Sequence, residues 1–137
     1  MRRWLIFPWC LLLCASCSAK REVSLARAAV DAFHDRLRTA RFGQIFADAA
    51  PDYHRAMNLQ ASEAFFAQVS TSLGSPGSYG ITGVQVNYTT GGTLIVLQAE
   101  TKFDRGSAHE QFTWRLEGQR ALLVGYNLSN PVLAPGP

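Results

Sequence analysis

Beyond position 17 the sequence has no cysteine; all three, Cys10, Cys14 and Cys17, fall within the first 17 residues. The rest of the chain can form no disulfide and offers no thiol nucleophile, so its stability must come from a packed core. Charge is also scarce, 17% of 137 residues against 47% hydrophobic, a balance that excludes a disordered chain. No apolar run approaches the roughly 20 residues needed to cross a bilayer. The histidines are His34, His54 and His109, with no His-x-x-x-His or Glu-x-x-His pattern, so no metal is expected. The sequence also lacks a phosphate-binding loop, Gly-x-Gly-x-x-Gly and Gly-x-Ser-x-Gly, and no cofactor is expected. A chain of this length holds one core of useful size.

What is present begins with an address. Arg2 and Arg3 precede the ten apolar residues Trp4 to Leu13, and the small residues Ala15 and Ser16 follow, the pattern of a secretory signal over 1–16. Removing it takes away two basic residues and no acid, so 13 basic against 10 acidic residues become 11 against 10. The basicity therefore belongs mainly to the signal, and no nucleic-acid role is expected.

The stretch Leu13-Cys14-Ala15-Ser16-Cys17 resembles the lipobox of bacterial lipoproteins, although Cys14 stands where that family prefers Leu. The resemblance implies lipidation of Cys17, and Ser18 after it implies the outer membrane, facing the periplasm. Membrane attachment through the acylated cysteine follows. The alternative is ordinary cleavage after Ala19, which would release a soluble periplasmic protein.

Residues 17–22 then read as a tether, 23–129 as one folded domain and 130–137 as a Pro-rich tail. Ala26, Val30, Phe33, Leu37 and Ala40 recur at helical spacing, predicting a helix from Ser24, its N-cap, to about Arg41. Gly43 closes it; 44–49 form a short second helix before Pro51, and a third starts near Ser62 and stops at Gly74. The period then changes to two. Turns at Gly91-Gly92, Arg105-Gly106 and Gly118-Gln119 set Val86 against Leu97, Leu97 against Trp114 and Trp114 against Leu123. All share one apolar face. The expected architecture is α+β, N-terminal helices packed on a curved four-stranded antiparallel meander.

The entry FHDRLRTARFGQIFADAAPDY and the meander VNYTTGGTLIVLQAETKFDRG, EQFTWRLEG and LLVGYNL resemble small bacterial envelope lipoproteins of unknown function with a cystatin-like or nuclear-transport-factor-like roll. That fold hosts ketosteroid-isomerase-like enzymes, dehydratases and binding subunits, so it does not choose an activity.

The register brings Thr101, Glu110 and Asn127 together at one end of the apolar face, where a carboxylate could be desolvated. In the resembling enzymes such a carboxylate transfers protons. Tyr53 and His54, in the connection after Pro51, are the residues that could complete a site with Glu110. His34 reads as a boundary residue bonded at the surface, and His109 as an outer-face neighbour of Lys102. Leu94, Val96, Leu122, Val124, Tyr126 and Leu128 are expected to point away from the helices, a surface suited to a homodimer or protein partner. The reading is a lipoprotein whose roll is a non-catalytic binding or assembly module, for a protein partner or a small apolar ligand. The alternative is a ketosteroid-isomerase-like or dehydratase-like enzyme with Glu110 as acid/base.

Overall fold

The computed structural model describes residues 14–133, with side chains described for 17–129. The apolar run of the signal and the last residues of the tail lie outside the described residues. Helices α1 (Cys14–Arg38), α2 (Phe42–Ala47), α3 (Pro51–Ala56) and α4 (Leu59–Leu73) precede strands β1 (Pro76–Thr89), β2 (Gly92–Phe103), β3 (Gly106–Glu117) and β4 (Arg120–Leu133). The strands lie in the order β1-β2-β3-β4, each antiparallel to the next, with helices packed on the sheet. The fold class is the expected one. Among the described residues no helix is long and apolar enough to cross a membrane.

Helix α1 starts earlier than its apolar spacing suggests. Ser24 lies inside it, and residues 17–22 are helical and not a loose tether. Ala19, Lys20, Arg21 and Glu22 are good helix formers, and Ser18 Oγ donates to Glu22 Oε1 at 3.1 Å one turn on. Its stripe of Ala26, Val30, Phe33 and Leu37 is buried as expected. The helix ends at Arg38, three residues before the expected Arg41, because Ala40 turns left-handed at φ 56° and Arg41 N donates to Arg36 O at 2.8 Å.

Helix α3 was not expected. Pro51 at its start needs no hydrogen-bond donor there, and Asp52 sits favourably in the first turn. Helix α4 begins at Leu59, ahead of the expected Ser62, because Asn58 caps it: its Oδ1 accepts from Ala61 N at 2.8 Å. The segment 130–133, expected as tail, extends β4 and pairs with β3. Pro131 is tolerated there because β4 is an edge strand.

The sheet register departs from expectation in two ways. At the first two turns the connection falls one residue earlier, so Leu97 faces Val84 and Phe112, and Ile95 faces Val86 and Trp114. A shift of two in pairing keeps every side chain on its face, so the apolar face survives. His109 consequently pairs with Glu100 and not with Lys102. The third turn is as expected, with Trp114 opposite Leu123, but the register then slips and Thr113 faces Gly125. Further slips lie between Ile81 and Gly83, between Pro76 and Tyr79, and between Ser107 and His109. Each slip inserts one residue into an edge strand and exchanges the faces beyond it.

The core lies between α1, α4 and the concave sheet face. Phe33 is its hub, with ring centroids 5.5 Å from Phe66, 5.1 Å from Phe112 and 4.9 Å from Tyr126. Phe112 stacks on Trp114 at 5.8 Å and 9°. Aromatic pairs of this kind each contribute about 0.5–1.5 kcal/mol beyond burial.

Candidate functional site

Within this aromatic core sits a polar cluster. Glu110 on β3 is 1% exposed, His34 on α1 2%, and Thr101 on β2 is fully buried. Thr101 Oγ1 donates to Glu110 Oε1 at 2.5 Å, and His34 Nε2 lies 2.7 Å from the same oxygen. Tyr126 on β4 donates through its hydroxyl to Glu110 Oε2 at 2.5 Å. One carboxyl thus accepts from side chains of one helix and two neighbouring strands. With Nε2–H donating to Glu110, His34 Nδ1 is an acceptor, and it is buried with no hydrogen-bond partner among the described residues.

The expected juxtaposition of Thr101 with Glu110 is present, reached diagonally: Glu110 pairs with Ala99, and Thr101 with Ala108. Asn127 is not part of it. The slip near Gly125 turns Asn127 to the exposed side and brings Tyr126 inward, so a phenol takes the place expected for the amide. The same slip removes Tyr126 and Leu128 from the expected outer surface, where both instead pack against the core. Leu122 stays on the outer side but is buried at a corner where Asp52 of α3 pairs with Arg115 Nη2 at 2.9 Å. Leu94, Val96 and Val124 remain there, each half-buried.

Tyr53 and His54 do not approach Glu110. Tyr53 is buried on α3 and its hydroxyl lies 2.9 Å from Ser62 Oγ of α4. His54 is exposed, with Nε2 2.6 Å from Phe46 O and its ring 4.4 Å from the Phe46 ring. Tyr53 thus ties α3 to α4, and His54 ties α3 to α2. The residue that does reach Glu110 is His34, expected at the surface. His34 follows Phe33 and stands four residues after Val30, which places it beside the buried stripe.

Tyr79 completes the surroundings. The β1 slip brings it opposite Thr101, with its ring 5.0 Å from His34 and its hydroxyl donating to Asp31 Oδ1 at 2.6 Å. Burial, then the Asp31 hydrogen bond and charge, push the Tyr79 phenol up to about 12. Burial pushes Tyr126 well above its ordinary value, and the Glu110 charge and hydrogen bond add to it. Burial also raises Tyr53, opposed by the Ser62 hydrogen bond. Each phenol is therefore a proton donor held in its neutral form near neutral pH.

Among the described residues no group of three or more His, Cys, Asp or Glu side chains is placed to hold a metal ion. Cys17 is exposed on the first turns of α1. No protein family matches this chain, and no curated protein is similar enough to it to be counted as a relative.

Proposed function

We propose that the protein is a small bacterial envelope lipoprotein, held at the membrane through acylated Cys17, whose α+β roll is a non-catalytic binding or assembly module. The observation that carries the non-catalytic reading is the engagement of Glu110. Both carboxyl oxygens are taken by Thr101, His34 and Tyr126, in a core filled by Phe33, Phe66 and Phe112. A proton-transfer catalyst needs its acid within reach of a substrate, and this one is spent on joining a helix to the sheet. The residues that a catalytic site would require as partners, Tyr53 and His54, are committed to other contacts. The anchor reading rests on the Ala15-Ser16-Cys17 pattern and is supported by the exposure of Cys17.

Mass spectrometry of the mature N-terminus tests the anchor. A diacylglyceryl-modified Cys17 at the first position is expected, with Cys17→Ser moving the protein from the membrane to the soluble fraction. An N-terminus at Lys20, or unchanged fractionation of the variant, would refute it. Crosslinking of the membrane-held protein tests the module, with a discrete adduct through the half-buried Leu94, Val96 and Val124 surface expected. A strict monomer with no adduct counts against it.

A further inference from the structure

Helix α1 leaves no slack between the anchor and the fold, because from Cys17 to Arg38 every residue is helical. The helix runs along β1 in the opposite direction. Tyr88 donates through its hydroxyl to Glu22 Oε2 at 3.1 Å, Tyr79 to Asp31 Oδ1, and the Arg38 guanidinium to Pro76 O. Its start therefore lies at the end of the sheet that carries the β1–β2 and β3–β4 turns, where Cys17 shares a recess with Thr93, Leu116, Gly118 and Gln119. With a rise of about 1.5 Å per residue, Cys17 stands about 8 Å beyond Glu22 along the helix axis, so an acyl group on it keeps both turns close to the headgroups.

The composition of this end suits a lipid surface. The β1–β2 turn Thr89-Thr90-Gly91-Gly92 carries no charge, and Tyr88 before it is 66% exposed, the most open large hydrophobic side chain among the described residues. A ring with a polar tip is at home at headgroup level. Between residues 17 and 30, α1 carries Lys20, Arg21 and Arg27 against Glu22 alone, while Glu117 and Arg120 face each other across the β3–β4 turn. Lys20 and Arg21 are exposed and make no ion pair among the described residues. The surplus charge is positive, the sign that anionic headgroups attract. We infer that this end of the roll, the first turns of α1 with the two hairpin turns, lies on the bilayer surface and is held there by the unbroken helix from Cys17. The outer sheet surface then stands at the side, clear of the lipid. The inference rests on the anchor reading and deepens it, by assigning the face that the anchor presents to the membrane.

The mature acylated protein, beginning at Cys17, is the form to test. Cleavage there removes Cys10 and Cys14, and the Cys17 thiol carries the lipid, so a cysteine introduced elsewhere is the one thiol that takes a nitroxide label. Thr90→Cys puts the label in the β1–β2 turn, and Lys102→Cys puts it near the far end of β2, roughly 30 Å away. Both positions are exposed. On vesicles of phosphatidylcholine and phosphatidylglycerol, spin relaxation by dissolved oxygen should rise, and relaxation by a water-soluble nickel chelate should fall, at position 90 relative to position 102. A flexible Gly-Ser linker of about ten residues inserted between Ser18 and Ala19 should abolish that difference on phosphatidylcholine vesicles while the protein stays in the membrane fraction. Equal accessibility of the two positions in the protein without the linker, or a linker variant that keeps the difference, would overturn the inference. Protection of position 90 from both reagents would mean a protein contact there and would overturn it too. An acylated Cys17 with equal accessibilities overturns the docked end and leaves the anchor standing. A mature N-terminus without an acyl group overturns the anchor reading and this inference with it.

Discussion

His34 Nε2 lies 2.7 Å from Glu110 Oε1, joining residues 76 positions apart in a site where neither is more than 2% exposed. The contact ties α1 to the middle of β3 and fixes the azimuth of the helix over the sheet. Apolar side chains alone would let α1 rotate or slide by small amounts, because dispersion is nearly indifferent to direction. A hydrogen-bonded polar group in a core has few satisfactory arrangements, and the directionality of three bonds to one carboxyl supplies the specificity that packing lacks.

Removing the acceptor should therefore be more damaging than its size suggests. Glu110→Leu would leave the Thr101 and Tyr126 hydroxyls and the His34 N–H buried and unpaired, and a loss of about 3–5 kcal/mol in a urea titration is expected. Glu110→Gln keeps one oxygen and should lose about 1–3 kcal/mol. Equal stability of all three proteins would show that the cluster is not formed in solution.

The raised phenols set an alkaline limit. An unfolded tyrosine loses its proton near pH 10.0, while burial and the neighbouring carboxylates push Tyr79 up to about 12 and Tyr126 well above the unfolded value. Above pH 10 the unfolded chain loses phenolic protons that the folded chain keeps, so stability falls as pH rises. Below that point both states hold the proton and these groups contribute no slope. Denaturant midpoints should be flat in this respect up to about pH 10 and decline from there through about pH 12 for Tyr79, and further for Tyr126. In Tyr126→Phe the decline should be shallower. An alkaline slope identical in the two proteins would mean that Tyr126 is not protected.

The face exchange in β4 makes a separate prediction. Tyr126→Phe removes a buried hydrogen bond to Glu110 and should cost about 1–2 kcal/mol, whereas Asn127→Ala, on the exposed side, should stay within about 0.5 kcal/mol. The uninterrupted pairing expected from alternation alone would reverse that order, so urea denaturation of the two variants distinguishes the registers.

That pair of neighbours also marks what alternation can carry. The period-two pattern places Leu97, Phe112, Trp114 and Leu123 inside whether or not the turns are located to the residue, because each error at the first two turns was worth an even number of positions. A bulge is odd, and one extra residue reverses the strand beyond it. The two slips that turn Tyr79 and Tyr126 inward occur beside a strand glycine, Gly83 and Gly125, and a glycine inside an alternating run is the available sign of a bulge. Reading it would have turned Tyr79 and Tyr126 toward the core. His34 was hidden differently: its neighbours in sequence locate it at the edge of a stripe, and only Glu110, brought by a distant strand, makes burial there favourable.

The end of α1 was obscured by an alanine where glycine is usual. Thr39 N donates to Asp35 O at 3.0 Å, Ala40 N to Leu37 O at 3.3 Å and Arg41 N to Arg36 O at 2.8 Å, so the last carbonyls are satisfied by a chain reversal that requires a left-handed residue at Ala40. Alanine adopts φ 56° against steric repulsion between its Cβ and the backbone, a penalty of about 1 kcal/mol that glycine does not have. Glycine is also freer in the unfolded chain, which returns part of the gain. Because Ala40 is exposed, its methyl contributes little packing to set against the relief. Ala40→Gly is therefore expected to stabilise the protein by about 0.5–1 kcal/mol, and Ala40→Val, branched at the strained position, to destabilise it by about 1 kcal/mol or more. Thermal or urea denaturation of the two variants reads both signs, and a destabilising glycine would mean that α1 continues through residue 40 as its apolar spacing suggests.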